Sequence, residues 1–253
     1  MTTAVRAGAR CLRTFHPKEN AAARLVAFPH AGGTARAFAE LSYALPEDIG
    51  LEAVQYPGRH ERRSDPHAEE IAVLADEAAQ ALAETADHRP LFLAGLSMGA
   101  LVAFETARRL AATGTVTRLI VSAALPPSRD WEERDLDACA DGEIVAELRR
   151  LGGVPEELLR DGETVRQVVG LLRADHRALR RYRCPADTAL TVPVTVLLGD
   201  ADPKADADRC RGWADHTTRD ARTELLPGGH FALADPGTGS ALRLTDRIRT
   251  DLI

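Results

Sequence analysis

The sequence predicts an α/β fold: a mostly parallel sheet with helices on both faces and a helical insertion. Two observations point to the sheet. Short apolar runs rich in β-branched residues recur along the chain, and stretches of helical periodicity separate them. Strand-helix alternation of this kind builds parallel sheets through right-handed crossovers. A third observation marks the insertion, because residues 128–190 separate two strand-like runs by far more than an ordinary connection needs.

The strand candidates, in order, are Arg24–Phe28, Leu51–Gln55, Pro90–Gly95, Thr117–Ser122, Pro193–Leu198 and Thr223–Leu226. Their near-continuous apolar character suits strands buried on both faces. Helical spacing occupies Thr34–Leu45, Glu69–Glu84, Met98–Ala112, Ala207–His216 and Ser240–Leu252. Within the insertion, Asp141–Leu151 and Gly162–Tyr182 are helical, and Gly152-Gly153 and Pro155 break the pattern between them. This describes a small helical lid rather than a disordered linker.

A chain of 253 residues with 45% hydrophobic and 28% charged content can bury a substantial core. We read one domain, 1–253, with a core made of 1–127 and 191–253 and a lid insertion at 128–190. The formal net charge of −6 leaves no overall basic field and argues against a nucleic-acid partner. Met1–Arg13 has no continuous apolar segment, and no stretch approaches the roughly 18 apolar residues of a membrane span. A cytoplasmic monomer without a membrane partner is therefore expected. Cys11, Cys139, Cys184 and Cys210 lie far apart with no CxxC pair or HExxH motif, so free thiols and no metal are expected.

The chemistry concentrates where Leu91-Phe92-Leu93-Ala94 runs into Gly95-Leu96-Ser97-Met98-Gly99, with the helical run Ala100–Leu110 directly behind. G-x-S-x-G at a strand-to-helix junction is the nucleophile elbow of the α/β-hydrolase fold. The turn lifts the Ser97 hydroxyl clear of the backbone, and side chains at Gly95 or Gly99 would collide in it. The helix N-terminus also aims free N–H groups at an oxyanion formed by attack, which makes Met98 N–H one candidate donor.

A serine hydroxyl needs a histidine to take its proton and a carboxylate to orient that imidazole, in the chain order Ser, Asp or Glu, His. The loop Gly199-Asp200-Ala201-Asp202-Pro203 follows a strand and carries two carboxylates; Asp202 is the first choice and Asp200 its competitor. Pro227-Gly228-Gly229-His230-Phe231 lies between the last strand and the last helix, which selects His230 among eight histidines. Near the N-terminus, Pro29-His30-Ala31-Gly32-Gly33 follows a strand, as does the loop that supplies the second oxyanion N–H in lipases and esterases; Ala31 is the candidate donor. His30 is expected to stand behind the site.

These segments, with Gln55-Tyr56-Pro57-Gly58-Arg59 and Glu147-Leu148-Arg149-Arg150-Leu151-Gly152-Gly153, resemble the type II thioesterases of polyketide synthase and non-ribosomal peptide synthetase pathways. The resemblance spans most of the chain. It implies a triad at Ser97, Asp202 and His230, oxyanion donors at Ala31 and Met98, and no cofactor. It also implies an acyl thioester substrate on the phosphopantetheine arm of an acyl or peptidyl carrier protein, and an editing role that removes aberrant or stalled acyl groups. At Cys11-Leu12 the chain departs from the aromatic residue often found there in the family.

Other readings remain beside this one. The same elbow and triad serve a carboxylesterase or lipase acting on small oxygen esters. A non-catalytic ligand-binding protein on this scaffold usually lacks a triad member, and none is missing here. Arg173, Arg177, Arg180, Arg181 and Arg183 are read either as a solvated helix face or as a steering patch for an acidic carrier. Tyr56-Pro57-Gly58-Arg59 reads as a turn after a strand, at most at the site's edge. Gly237-Thr238-Gly239 follows no strand and lacks the third glycine of a dinucleotide fingerprint.

Overall fold

The structure, a computed structural model, describes residues 10–129, 134–152 and 156–253. Met1–Ala9 of the N-terminal segment, and Gly153 and Pro155 of the break within the insertion, lie outside the described residues.

Among the described residues seven strands form one sheet: β1 (Leu12–Thr14), β2 (Ala23–Phe28), β3 (Ile49–Val54), β4 (Leu91–Leu96), β5 (Val116–Ser122), β6 (Val194–Gly199) and β7 (Ala221–Leu226). Their order is β1-β3-β2-β4-β5-β6-β7, with every neighbouring pair parallel except β1 and β3. β1 adds to the six expected strands. It pairs Leu12 with Val54 at one edge of the sheet, and three residues are too few for alternation to show in sequence.

Successive strand residues point to opposite faces, so the continuous apolar runs divide between two cores. Val26, Phe28, Leu93, Leu119, Val121, Val196 and Leu198 belong to one; Leu25, Ala27, Phe92, Ala94, Ile120 and Leu197 belong to the other. Seven helices accompany the sheet among the described residues: α1 (Ala39–Ala44), α2 (Ile71–Glu84), α3 (Met98–Leu110), α4 (Asp141–Leu151), α5 (Gly162–Arg181), α6 (Ala207–Cys210) and α7 (Ser240–Asp251). Helices α2 and α3 cover the first face, through Leu74, Ala78, Leu101 and Phe104. Helices α1 and α7 cover the second, through Leu41, Leu244 and Ile248.

Helix α3 is buried almost all round, from Met98 to Ala107, which suits the helix that follows the sheet's middle strand. Two expected helices tighten. Thr34–Leu45 opens as a 3₁₀ turn, Ala35–Phe38, before α1. Ala207–His216 becomes α6 followed by a 3₁₀ segment, Arg211–His216. There the i,i+3 pair Trp213 and His216 shares one face, which a 3₁₀ turn provides. Trp213 Nε1 donates to Ala124 O at 2.9 Å, and His216 bonds Thr188 O and Ser128 Oγ at 2.7 and 2.8 Å.

Between β5 and β6, α4 and α5 share a small core of Ile144, Val145, Leu148, Val169 and Leu172. Asp161 caps α5 by accepting from Thr164 N–H at 2.7 Å. The far end of α5 joins the main core through Ala178 and Leu179, and Tyr182 beyond it donates to Glu105 at 3.0 Å. Four of the α5 arginines are tied down: Arg173 to Asp141, Arg177 to Glu69 and Asp137, Arg180 to Asp135, Arg181 to Glu69. Arg183 donates to Arg180 O and Tyr182 O. Carboxylates beside Arg173, Arg177, Arg180 and Arg181 reduce the outward field of the cluster. Among the described residues no helix is long and apolar enough to cross a membrane.

Candidate active site

Strand β4 ends at Leu96, α3 begins at Met98, and Ser97 makes the turn alone at φ 54° and ψ −120°. A positive φ at a non-glycine residue is a strained geometry that surrounding structure must impose. Here Ser97 N–H is held by Ser122 O at 2.8 Å, and Ala100 N–H returns to Ser97 O at 2.9 Å. The flanking glycines are required by contact. A Cβ on Gly95 would lie 2.4 Å from Ala100 Cα, and one on Gly99 would lie 2.0 Å from Phe28 O. The elbow is thereby pressed against the end of β2, beside the loop that carries His30, Ala31 and Gly32.

Ser97 Oγ is 3.1 Å from His230 Nε2, and His230 Nδ1 is 3.1 and 3.0 Å from the two oxygens of Asp202. The Asp202 side chain is fully buried and that of His230 is 6% exposed. Burial alone raises the Asp202 pKa. The hydrogen bond and charge of His230, with backbone donors from Lys204 and Ala205, outweigh it and hold the carboxyl below its ordinary value. An ionised carboxylate only accepts, so His230 donates to Asp202 from Nδ1, and in the neutral imidazole Nε2 is then the acceptor that faces the serine hydroxyl. This arrangement can take a proton from Ser97 as its oxygen attacks an acyl carbon.

The two carboxylates of the β6 loop have separate tasks. Asp200 Oδ1 accepts from Gly228 N–H at 2.9 Å, and Ala201 N–H donates to Gly228 O at 2.9 Å, which ties the β6 and β7 loops together. Asp202 is the one that reaches His230. His30 does stand behind the site: its ring meets Phe231 at 4.7 Å, and Phe231 meets His230 at 5.2 Å, both edge-on. Burial, aided by His230 and Arg59, pushes the His30 pKa down to about 3, and its buried Nδ1 has no hydrogen-bond partner among the described residues. Met98 opens α3 and is fully buried, while Ala31 is half-buried between the main core and that of the insertion. Among the described residues no group of three His, Cys, Asp or Glu side chains is placed to hold a metal ion.

The Gln55–Arg59 segment does more than turn. Tyr56 OH donates to Pro29 O at 3.2 Å, Gln55 Oε1 accepts from Ala35 N–H at 2.9 Å, and Arg59 Nη1 donates to Gly33 O at 2.7 Å. Arg59 also pairs with Asp175 of α5, at 2.8 Å, with both side chains almost wholly buried. The sequence reading passed over Asp175. Its signal is positional: it falls three residues after Leu172 and four before Leu179, on the apolar stripe of α5, where a carboxylate is out of place without a partner.

Fold and elbow together define an α/β-hydrolase. The chain belongs to the thioesterase domain family, whose model matches residues 23–247. It is 41% identical over 234 residues to the probable cadicidin biosynthesis thioesterase of Streptomyces griseus, an alignment covering 92% of this chain and 64% of that protein. It is 39% identical over 226 residues to the thioesterase PikA5 of Streptomyces venezuelae, covering 88% and 80% of the two chains. Among solved structures, the type II thioesterase BorB from the borrelidin biosynthetic cluster aligns with a TM-score of 0.84 at 35% identity, over 94% of this chain and 98% of that one. The chain thus spans just under two thirds of the first relative and most of the second.

Proposed function

We propose that Ser97, His230 and Asp202 act as nucleophile, base and orienting carboxylate in hydrolysing acyl thioesters carried on the phosphopantetheine arm of an acyl or peptidyl carrier protein. The observation that carries this reading is the unbroken hydrogen-bonded line from Ser97 Oγ through His230 to a buried, ionised Asp202. Ser97 attacks the thioester carbonyl as His230 takes its proton. The tetrahedral oxyanion is held by the N–H groups of Ala31 and Met98, the thiol leaves with a proton from His230, and His230 then activates water to free the acid.

The relatives support a thioester substrate, since one is named as a probable cadicidin biosynthesis thioesterase, one as the thioesterase PikA5, and BorB as a type II thioesterase from the borrelidin biosynthetic cluster. The proposed task is editing: clearing aberrant or stalled acyl groups from carrier domains in polyketide or non-ribosomal peptide assembly, by a cytoplasmic monomer. Segment 128–190 serves as a lid over the acyl chamber.

The test is to incubate wild type and Ser97→Ala with acetyl-, malonyl- and longer acyl-loaded carrier proteins and follow loss of the acyl group by mass spectrometry. Serine-dependent deacylation is expected. Cleavage of nitrophenyl esters with every carrier thioester left intact would overturn the reading in favour of an oxygen esterase.

A further inference from the structure

The insertion helix α5 packs against the loop that carries Ala31, and one of its contacts there is a charge. Asp175 is 1% exposed. Its Oδ2 accepts from Gly32 N–H at 2.7 Å and from Arg59 Nη1 at 3.1 Å, and its Oδ1 accepts from Arg59 Nη2 at 2.8 Å. Arg59 Nη1 continues to Gly33 O at 2.7 Å. One turn earlier on α5, Leu172 packs so closely over Gly32 that a Cβ there would meet it at 2.9 Å. The loop carrying Ala31 is therefore held on its far side by α5 as well as by Tyr56 and Gln55 on its near side.

We infer that Asp175 is a positioning residue for the oxyanion loop: from the insertion helix it fixes Gly32 directly and Gly33 through Arg59, and so sets the aim of the adjacent Ala31 N–H. The inference rests on the proposed role of Ala31 as an oxyanion donor. An oxyanion donor acts through placement, and an error of about 1 Å can lower turnover a hundredfold. A buried carboxylate that spends its oxygens on a backbone N–H and a bidentate guanidinium is suited to such placement, because charge-assisted bonds are short and directional. Withdrawing Asp175 would strand the buried Arg59 and release the loop together.

Two variants and two readouts test this. Asp175→Asn keeps the shape and removes the charge; Arg59→Met with Asp175→Leu removes both charges together, an exchange that usually preserves stability. The first readout is kcat and KM on an acyl thioester. The second is the rate at which a fluorophosphonate labels Ser97, which builds oxyanion charge without any acyl substrate. In Asp175→Asn both kcat and labelling rate should fall about tenfold to a hundredfold, with KM within about twofold. The double variant should fold, with a modest loss of stability from the Gly32 N–H and Gly33 O bonds it removes, and remain equally slow. Full kcat and labelling rate in either variant, once folded by circular dichroism, would overturn the inference. Labelling that falls as expected while no thioester is cleaved even by wild type would retain the positioning role and reject only the thioesterase reading.

Discussion

Gly99 and Phe28 meet with no room between them: a Cβ on Gly99 would stand 2.0 Å from the Phe28 carbonyl oxygen. The contact locks the first turn of α3 onto the end of β2, and so sets the elbow beside the loop that carries Ala31. Gly99→Ala must push two backbones apart rather than rotate a side chain. The expected loss is about 3 kcal/mol or more, read as a lowered urea midpoint, with activity lost in whatever fraction folds. A folded Gly99→Ala enzyme of wild-type stability would mean that the elbow is looser than this packing requires.

The two loop aspartates should separate cleanly. Asp202→Asn leaves the imidazole without its orienting carboxylate and should lower kcat about 10⁴-fold, less than the roughly 10⁶-fold expected of Ser97→Ala or His230→Ala. Asp200→Asn disturbs only the bond to Gly228 N–H and should change kcat less than about threefold, with about 1 kcal/mol of stability at risk. Steady-state kinetics on all four variants decides it; comparable losses at 200 and 202 would contradict the division of labour.

His30 predicts a pH dependence of stability. Its pKa in the folded chain is about 3 against 6.5 as the ordinary value. As pH falls below 6.5 the unfolded chain takes up a proton that the folded chain refuses, so the folded state loses ground until the pH nears 3. Between pH 6.5 and 5 this amounts to about 2 kcal/mol. Chemical unfolding across that interval should show a shallower decline in His30→Gln than in wild type. Identical slopes would assign the acid sensitivity to other groups.

Arg180 and Arg181 are matched by Asp135 and Glu69. Reversing both charges should leave the salt dependence of carrier deacylation unchanged, measured as kcat/KM against ionic strength, while only slightly altering stability. A flattened salt slope in the reversed variant would return a docking role to these arginines.

The elements that could be read from the sequence are those whose signal is local. The β4 run, Gly95-Leu96-Ser97-Met98-Gly99 and the helix behind it form one continuous segment whose geometry depends on its own residues, and the structure has Ser97 at the junction. Strand β1 and the 3₁₀ form of Arg211–His216 were not legible, because pairing with β3 and the fit of Trp213 into the core decide them. The Gln55–Arg59 segment was visible as a motif, but its bonds to Pro29, Gly33 and Ala35 cross 20 to 27 positions of chain.

What the sequence determines by itself is the order of parts: a serine on an elbow, carboxylates after β6, a histidine after β7. Periodicity and glycine sterics write that order into neighbouring residues. Tertiary structure alone brings Asp202 to His230 and Asp200 to Gly228, since the two differ only in which loop atom each can reach. It alone brought Asp175 across 143 positions to Gly32. A helix carboxylate has no partner in its own segment; the interior, where an unpaired charge cannot stay, supplied one in Arg59.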